Sequence, residues 1–410
     1  MTRVRTAHVI GGGIAGPVAA VALHRAGIEP TVYEAHATDA DGVGAFLGLG
    51  LNGIDALRTV DMDATVLARG FATPRMVMLT GHGRLLADVP NGGTLPDGTH
   101  ALTIRRPDLY AALRDEAHRR GIHTRYGKRL TGIRHTDAGV RARFADGSTA
   151  DADVLVGADG IRSTVRRLLD PAAPGASYVG FLNTGGYARG VDVPGPPGVS
   201  HFCFGRRAFF GWTTAPDGEV WWFANPPVRD EPDPEDLAAV PAELWRARLL
   251  DLFADDRIPA VDLIRATDDV FAGWITYDLP SVPTWHDGRT VIIGDAAHAV
   301  SPSAGQGAAL AIEDAVVLAQ CLRDHDDAPA ALARYEQLRR VRVEKVRAQG
   351  RRNGSGKTAG PVGRAVRDLV LPVVMRRLFR DGRDPLRWMW DHHIDWNTSA
   401  SAPASTAVAR

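Results

Sequence analysis

A run of small residues near the amino terminus has the spacing of a phosphate-binding turn. The pattern G-x-G-x-x-G is met by Gly11-Gly12-Gly13-Ile14-Ala15-Gly16, which follows a short apolar segment and precedes a helical one. Glycines let backbone N–H groups approach a pyrophosphate closely, and the N-terminus of the next helix adds partial positive charge. We therefore expect this run to bind the pyrophosphate of a dinucleotide.

An acidic residue follows the turn at the distance expected of a ribose-binding side chain. Residues 31–33 have the pattern of a second strand, and Glu34 ends it, about 20 residues beyond the turn. Its carboxylate suits the free 2′-hydroxyl of FAD or NAD better than a 2′-phosphate. The competing interpretation is an ordinary strand–helix turn with Glu34 at a solvated strand end.

Two further loops combine glycines with an acid. The first is Gly157-Ala158-Asp159-Gly160, and the second begins with Gly294-Asp295 and continues through Pro302 to Gly305-Gln306-Gly307. In these three motifs and their order, the chain resembles the single-component FAD-dependent aromatic hydroxylases, the para-hydroxybenzoate hydroxylase-like flavin monooxygenases. The resemblance extends over residues 8–323.

This resemblance implies a role for each motif. The N-terminal turn and Glu34 hold the adenosine diphosphate half of FAD. Asp159 is linked to the binding of FAD and of reduced nicotinamide, and Asp295 bonds the ribityl chain. The loop of residues 302–307 runs past the flavin ring.

Two other features bear on the same cofactor. Arg106 resembles the family arginine that contacts FAD, although the adjacent Arg105 leaves the register open. A helix that begins at Gly307 would direct backbone N–H groups at the negative charge of reduced flavin. The implied cofactor-binding set is Gly11, Gly13, Ile14, Ala15, Gly16, Glu34, Arg106, Asp159, Asp295, Pro302, Gly305, Gly307 and Ala308.

The resemblance also implies a reaction. NAD(P)H reduces FAD, O₂ adds to the flavin as a C4a-hydroperoxide, and the distal oxygen goes to an electron-rich carbon of a small aromatic or polycyclic substrate. The sequence contains no second G-x-G-x-x-G domain, which suits a family in which the nicotinamide docks transiently. No general base is evident. Two alternatives stay open: an epoxidase or reductase of an isoprenoid-type substrate, and a nonenzymatic FAD-binding sensor.

The composition argues against several other classes. Among 410 residues, 48 Lys and Arg balance 48 Asp and Glu, so no excess of positive charge indicates nucleic-acid binding. The two cysteines, Cys203 and Cys321, form no C-x-x-C pair, which argues against disulfide reductases and thiolate metal sites and agrees with a reducing cytoplasm. No apolar run has the length of a membrane span. We expect a cytoplasmic monomer or homodimer without a metal.

The order of elements predicts an α/β fold, in which a Rossmann-like FAD-binding domain carries an inserted, mainly β substrate domain and a helical C-terminus. Aromatic strands separated by Gly/Pro turns mark the inserted domain. We assign residues 1–72, 101–177 and 283–328 to the FAD-binding domain, residues 73–100 and 178–282 to the substrate domain, residues 329–397 to the helical region and residues 398–410 to a disordered tail.

The substrate domain offers aromatic candidates for a pocket over the flavin. For each of them, burial in a core is the competing interpretation. The candidates are Tyr187, Phe202, Phe210, Trp212 and Phe223, with Phe46 approaching from the other side.

Two features are interpreted as taking no part in the chemistry. Glu313 and Asp314 are expected to make local bonds within their helix. The segment Gly354-Ser355-Gly356-Lys357-Thr358 looks like the end of a phosphate loop, but Arg351 stands in place of the first glycine and no strand precedes it. We therefore interpret this segment as a basic loop.

Overall fold

The computed structural model describes residues 3–38, 45–355, 357, 360–379 and 384–401. The strands are β1 (Thr6–Ile10), β2 (Glu29–Tyr33), β3 (Phe46–Leu49), β4 (Phe71–Ala72), β5 (Arg75–Thr80), β6 (Leu85–Pro90), β7 (Leu102–Arg105), β8 (Thr124–Arg125), β9 (Leu130–His135), β10 (Val140–Phe144), β11 (Thr149–Ala152), β12 (Val154–Gly157), β13 (Ser177–Ala188), β14 (Val199–Phe204), β15 (Phe209–Thr214), β16 (Val220–Asn225), β17 (Trp274–Asp278), β18 (His286–Asp287) and β19 (Thr290–Ile292). The helices are α1 (Ala15–Arg25), α2 (Leu51–Thr59), α3 (Asp63–Leu67), α4 (Arg106–Arg119), α5 (Thr164–Leu169), α6 (Pro234–Ala238), α7 (Ala242–Phe253), α8 (Ala260–Arg265), α9 (Asp295–His298), α10 (Gly307–Asp324), α11 (Ala328–Ser355), α12 (Pro361–Leu378) and α13 (Arg387–Trp390).

A six-stranded sheet with the order β18-β19-β12-β1-β2-β8 forms the first layer. All its neighbours pair in parallel except β18 with β19. Parallel strands are covered on both faces and therefore need continuous apolar runs. The residues of β12 are all buried, and in helix α1 every residue from Ala15 to Leu23 is buried. Small side chains in α1 allow close packing against α10, its main helical neighbour.

Two small antiparallel sheets connect this layer to the rest of the chain. One has the order β11-β10-β9, and the other has the order β3-β7-β4. In the second, Phe46 of β3 pairs with Arg105 of β7. These two residues therefore stand at the point where the chain passes from the first layer to the inserted sheet.

The inserted layer is a seven-stranded sheet with the order β17-β13-β16-β15-β14-β5-β6. Its strands alternate side chains between two faces. On one face, Phe210, Trp212 and Trp222 form a buried cluster with the side chains of α7 and α8. The other face carries a second set of rings and is turned toward Phe46.

The predicted α/β fold class with a helical C-terminus is confirmed. No described helix combines the length and apolar character that crossing a membrane requires. The expected disordered tail needs a correction at its start, because residues 398–401 are anchored to the protein. Ala400 donates its N–H to Asp324 at 2.7 Å and accepts a bond from Arg334 at 2.7 Å. Residues 402–410 lie outside the described residues.

A buried group of charges joins α10 to α11. The guanidinium of Arg339 lies 2.7 Å from Glu313 and 2.7 Å from Asp314, and all three side chains are at most 1% exposed. Arg342 forms a second pair with Glu313, at 2.7 Å. The expectation that Glu313 and Asp314 make local bonds within their helix is therefore wrong, since their arginine partners lie 25 or more residues away.

Substitution of Arg339 tests whether this buried group of charges, which we call the clamp, stabilises the protein. We expect Arg339→Met to lower the free energy of unfolding by about 3–5 kcal/mol, because two buried carboxylates lose a partner. Urea unfolding measures the change. The control is Arg376→Met, at an exposed position of α12, with an expected change within about 0.5 kcal/mol. Equal stability of the two variants would contradict the clamp.

Candidate active site

Three loops begin at the same edge of the six-stranded sheet. Strands β1, β12 and β19 are parallel neighbours, with Ile10 opposite Gly157 and Gly157 opposite Ile292. The chain therefore leaves the sheet at one level on all three strands, at their carboxyl ends, where open α/β sheets bind ligands. We call these the first loop (residues 11–14), the second loop (158–163) and the third loop (293–306).

The glycines of the first loop serve two purposes. A Cβ on Gly11 would lie 2.4 Å from the carbonyl oxygen of Ala158, and one on Gly16 would lie 1.9 Å from that of Gly11. These two glycines are required by the packing of the protein against itself. Apart from its own chain neighbours, no atom of the described residues lies within 4 Å of a Cβ on Gly13. Gly13 therefore leaves the backbone open to a ligand, as the motif predicts.

Helix α1 directs its N-terminus at the same space. Ile14 is its N-cap, Ala15 is its first residue, and no side chain caps the first turn. Uncapped N–H groups at a helix start bind anions. The third loop lies alongside, since a Cβ on Gly294 would be 3.5 Å from the Cβ of Ala15.

Glu34 ties the first loop to the end of β2. Its carboxylate accepts the N–H of Gly12 at 2.8 Å and the N–H of His36 at 2.9 Å. A carboxylate has about four acceptor positions, so two of these remain. Glu34 is thus able to accept a bond from a ribose hydroxyl while holding the turn in place.

The structure separates the two neighbouring arginines. Arg105 points to the seven-stranded sheet, where its guanidinium lies 2.5 Å from Glu219. Arg106 lies on the other side, where its charge acts on the carboxyl of Asp295. Its Nε is buried without a hydrogen-bond partner among the described residues. Since buried donors need an acceptor, the geometry favours Arg106 over Arg105 as a cofactor contact.

Asp295 lies in a recess at the start of α9. The residue is exposed, yet the surrounding protein displaces enough water to raise the pKa of its carboxyl, while the charges of His298 and Arg106 act in the opposite direction. A Cβ on Gly307 would be 3.9 Å from Asp295 Oδ1. The recess thus combines an acid with free space beside Gly307, as a contact with a polar ligand chain requires.

The third loop ends in a backbone that leaves space for a flat group. Pro302–Ala304 form one 3₁₀ turn, and Gly305 follows with φ of +62°, a conformation that favours glycine. No protein atom lies within 4 Å of a Cβ on Gly305. Helix α10 then begins with Gly307 and Ala308 and has no side-chain cap. Its first N–H groups are free to stabilise negative charge.

Asp159 is engaged by the second loop itself. Its carboxylate accepts the hydroxyl of Ser163 at 2.5 Å and the N–H groups of Thr164 and Val165 at 2.7 and 3.1 Å. Burial raises the pKa of this carboxyl. Asp159 therefore shapes the second loop and caps α5, and its contact with a cofactor or nicotinamide stays a prediction.

Buried acids of α10 support the third loop. Asp314 accepts the N–H of Gly294 at 2.9 Å and lies 2.5 Å from Nε2 of His298. Burial acts to raise the pKa of Asp314, but the charges of His298 and Arg339 hold it well below its usual range. Further along, the side chain of Asn52 bridges Gln306 of the loop, at 2.8 Å, to Glu313. The loop is therefore held at both ends.

One face of the seven-stranded sheet is lined with rings, and we call it the aromatic face. Phe46 of β3 approaches it, with ring centroids 5.5 Å from Trp221 and 6.1 Å from Phe223. Tyr187 lies 5.4 Å from Trp221, and Phe202 lies 6.1 Å from Phe223. Four predicted substrate residues, Phe46, Tyr187, Phe202 and Phe223, are thus brought together.

The aromatic face adjoins the third loop. Strand β3 carries Phe46 and leads directly to Gly50, and a Cβ on Gly50 would be 2.8 Å from Nε2 of Gln306. Strand β3 therefore connects the loop that is expected to contact the flavin with Phe46, whose ring packs against the inserted sheet. A ligand on the aromatic face would lie beside the third loop.

Two predicted substrate residues need correction. Phe210 and Trp212 are 0% and 1% exposed and belong to the cluster beneath the opposite face of the sheet, where Phe210 packs 5.1 Å from Phe253. Side chains alternate along β15, so these two cannot share a face with Phe209. They pack in the core and do not line the aromatic face.

Sequence reasoning missed Trp221, Phe209 and Arg105. Phe209 lies 5.9 Å from Phe223, and the guanidinium of Arg105 lies 4.3 Å above the ring of Tyr187. The alternation of side chains along β15 and β16 could have identified Phe209 and Trp221. Phe223 pairs with Gly211, and Phe209 lies two residues before Gly211, so Phe209 and Phe223 share a face of the sheet. Trp221 lies two residues before Phe223 and shares the same face. Arg105 became assignable only after the pairing of β3 with β7 was known.

The residues present fit FAD. The first loop offers open backbone at Gly13 and an uncapped helix start for a pyrophosphate, and Glu34 has acceptor positions for a ribose. The buried Nε of Arg106 needs an acceptor. Open backbone at Gly305, next to an uncapped α10, suits a flat group that gains negative charge.

Substitution of Gly13 tests the first loop. We expect Gly13→Val to lower the FAD content of the purified protein strongly, because the side chain takes up space next to the backbone that a pyrophosphate must approach. Flavin absorbance relative to protein absorbance measures the content. Gly175→Val is the matched control, since its Cβ also meets no protein atom within 4 Å. Full FAD content in both variants would refute the placement.

Substitution of each arginine tests which one holds the cofactor. We expect Arg106→Met to weaken FAD binding about 10- to 100-fold, the loss of one charge-assisted hydrogen bond. Arg105→Met should retain FAD, because Arg105 pairs with Glu219 on the other side of β7. Titration of the apoprotein with FAD gives both affinities, and the reverse order would overturn the assignment.

Comparison with known proteins agrees with this geometry. A family model described as FAD binding domain matches residues 3–349. The chain is 32% identical over 342 residues to aurachin C monooxygenase/isomerase of Stigmatella aurantiaca, covering 82% of this chain and 85% of that protein. It is 31% identical over 350 residues to 6-hydroxynicotinate 3-monooxygenase of Pseudomonas fluorescens, covering 82% and 88%.

Solved structures show the same similarity. The Klebsiella pneumoniae protein HpxO complexed with FAD and uric acid matches with a TM-score of 0.80 at 26% identity, covering 92% of this chain and 95% of that one. FAD is therefore the cofactor of this chain. The chain belongs to the FAD binding domain family of flavin-dependent monooxygenases.

Proposed function

We propose that this chain hydroxylates a planar aromatic or heteroaromatic compound with NAD(P)H and O₂. The observation that carries the proposal is the link between the aromatic face and the third loop through β3, which carries Phe46 at its start and leads to Gly50 beside Gln306. Aromatic side chains hold flat ligands by offset stacking and edge contacts. A substrate ring lying over Phe46, Phe223 and Phe202 would be held on the face that β3 connects to the third loop.

Related proteins support the same shape of substrate. One is named as acting on 6-hydroxynicotinate, and the HpxO structure contains uric acid. Both are flat heteroaromatic molecules that carry oxygen substituents. The aromatic face described above has the ring content that such molecules need.

FAD, when bound, supplies the redox chemistry by accepting a hydride from NAD(P)H and reacting with O₂. The residues of this chain position and shield the reactants. The start of α10 at Gly307 directs backbone N–H groups and a helix N-terminus at the recess, which stabilises negative charge there. Asp314 and His298 keep the third loop in the required shape.

Tyr187 is placed to donate a hydrogen bond on the aromatic face. Burial raises the pKa of its phenol to about 12, so the group keeps its proton at neutral pH. The guanidinium of Arg105, paired with Glu219, lies 4.3 Å above the ring and fixes its orientation. The surrounding rings exclude water, which favours oxygen transfer over release of hydrogen peroxide.

A substrate screen tests the proposal. The FAD-loaded protein is given NADH or NADPH with planar phenols, aromatic acids and heterocycles, including 6-hydroxynicotinate and urate. We expect at least one compound to stimulate nicotinamide oxidation together with oxygen uptake, and its product to gain the mass of one oxygen atom. Oxidation that no aromatic compound stimulates would contradict the proposal, and reduction of an isoprenoid without oxygen uptake would favour a reductase.

A pair of variants locates the substrate within the molecule. Phe223 and Phe210 occupy opposite faces of the same sheet. We expect Phe223→Leu to raise KM for the compound found in the screen, whereas Phe210→Leu should lower stability and leave KM unchanged. An equal effect of both substitutions on KM would contradict binding on the aromatic face.

A further inference from the structure

Lys357 occupies a position that the sequence did not suggest. It follows α11 in a turn, with its N–H bonded to the carbonyl of Gly354 at 3.0 Å. The interpretation as a basic loop gave its side chain no part in the site. Its ammonium lies 4.3 Å from the ring centroid of Phe209 and 5.9 Å from that of Phe223. Lys357 therefore reaches the aromatic face.

The same segment is attached to the third loop. Asn353 donates its amide N–H to the carbonyl of Ser303 at 3.2 Å, and a Cβ on Gly350 would be 2.7 Å from the Cβ of Ala304. Lys357 follows Asn353 by four residues, which span at most about 14 Å, so Lys357 stays near this contact. Its ammonium lies against the rings of the inserted sheet, and the backbone that carries it is attached to the third loop.

A row of neutral amides holds Lys357 in position. Its ammonium donates to Oδ1 of Asn225 at 2.9 Å. The amide of Asn225 in turn donates to Asn183 at 2.5 Å, and that of Asn183 donates to Thr276 at 2.7 Å. This row orients the carbonyl of Asn225 toward Lys357. An ammonium has three N–H donors, and the other two have no hydrogen-bond partner among the described residues, so they suit a ligand on the aromatic face.

Lys357 differs from the other cations near this sheet in its charge balance. Arg105 is paired with Glu219, and Arg367 of α12 is paired with Asp368. Lys357 forms no ion pair with a carboxylate of the described residues; rings and neutral amides face it from β13, β15 and β16. Desolvation, without a contribution from any charged neighbour, lowers the pKa of its ammonium to about 8.

An ammonium that is removed from water and has no carboxylate partner is costly, and proteins keep such groups mainly where a ligand or a reaction uses them. The alternative is a structural clamp, in which Lys357 only packs on Phe209 through its stem and its charge. An uncharged side chain of similar length would make that clamp without the desolvation cost. The lack of a carboxylate partner among the described residues therefore favours a ligand.

We propose that Lys357 anchors the substrate: its ammonium binds an anionic oxygen, a carboxylate or an acidic hydroxyl, of a planar aromatic compound that lies along Phe223 and Phe209. This inference rests on the proposed function and adds to it the chemical class of the substrate and the residue that selects it. The anion restores the charge balance of the buried ammonium, and Arg105, at the other end of the face, is already neutralised by Glu219.

Binding of an acid and its amide to the FAD-loaded protein tests the proposal. The probes are 6-hydroxynicotinate and 6-hydroxynicotinamide, followed by the perturbation of flavin absorbance. We expect the acid to bind about 10- to 100-fold more tightly than the amide, the value of one charge-assisted hydrogen bond. Lys357→Met should remove this preference by weakening the acid alone, and Lys357→Arg should restore part of it.

The pH profile separates an ion pair from a clamp. Because Lys357 loses its proton as the pH rises through about 8, affinity for the acid should be constant at lower pH and fall above that value. Lys357→Met should abolish this fall. Lys345→Met is the matched control, since Lys345 lies on α11, the helix that precedes Lys357, with its ammonium 3.8 Å from the ring centroid of Trp388, and it should leave both affinities unchanged.

A second variant decides the matter if Lys357→Met loses FAD or fails to fold. Asn225→Asp keeps the shape of the side chain and places a carboxylate beside the ammonium. It should weaken binding of the acid, and not of the amide, by supplying the counterion from the protein. An unchanged preference for the acid in this variant would overturn the proposal.

The remaining outcomes are equally distinct. Binding of the acid no tighter than the amide, including no binding of either, overturns the anchoring role. Equal weakening of both probes by Lys357→Met shows a structural clamp and also overturns it. If the substrate screen succeeds while the acid and the amide bind alike, the proposed function stands and only this inference falls. If no aromatic compound stimulates nicotinamide oxidation, the proposed function is wrong, and the inference that rests on it falls with it.

Discussion

The parallel pairing of β1, β12 and β19 is the constraint on which the site depends. Their hydrogen bonds align Ile10, Gly157 and Ile292 at one level, so three distant parts of the chain turn away from the sheet at the same edge. Neighbouring strands lie about 4.8 Å apart, and the loops therefore emerge within about 10 Å of each other. One extended dinucleotide is able to contact all three. A change of register in any of these strands would move one loop out of reach.

Buried charge supports the loops from behind. The carboxylate of Asp314 accepts hydrogen bonds from the N–H of Gly294 and the guanidinium of Arg339 and lies beside the ring of His298. Burying these groups separately would be costly, and burying them together satisfies most of their hydrogen bonds. A rigid support of this kind suits a loop that must hold open backbone next to a cofactor. Helix α11 carries Arg339 and ends shortly before Lys357. The buried charges that join α10 to α11 therefore also help to position the end of the aromatic face that Lys357 contacts.

The two faces of the inserted sheet make different contacts. One face builds a core with α7 and α8, and the other presents rings beside the third loop. Two cations approach these rings, but Arg105 is neutralised by Glu219, whereas Lys357 contacts only rings and an amide among the described residues. Charge balance, more than proximity, therefore distinguishes a structural cation from one that suits a ligand.

Local patterns in the sequence were enough for the fold class and for the cofactor loops. Glycine spacing, a following acid and apolar runs are set by neighbouring residues, and Gly13 and Glu34 could be named from them, whereas Asp295 was named from the family resemblance. The contacts of all three with FAD stay predictions. The aromatic residues were less certain, because composition does not tell which face of a strand meets which layer, and Phe210 and Trp212 were placed on the wrong one. The role of Asp314 and the position of Lys357 depended on contacts between residues far apart in the chain. Only the tertiary structure decides such contacts, because the desolvation and pairing of a charge depend on every element packed around it.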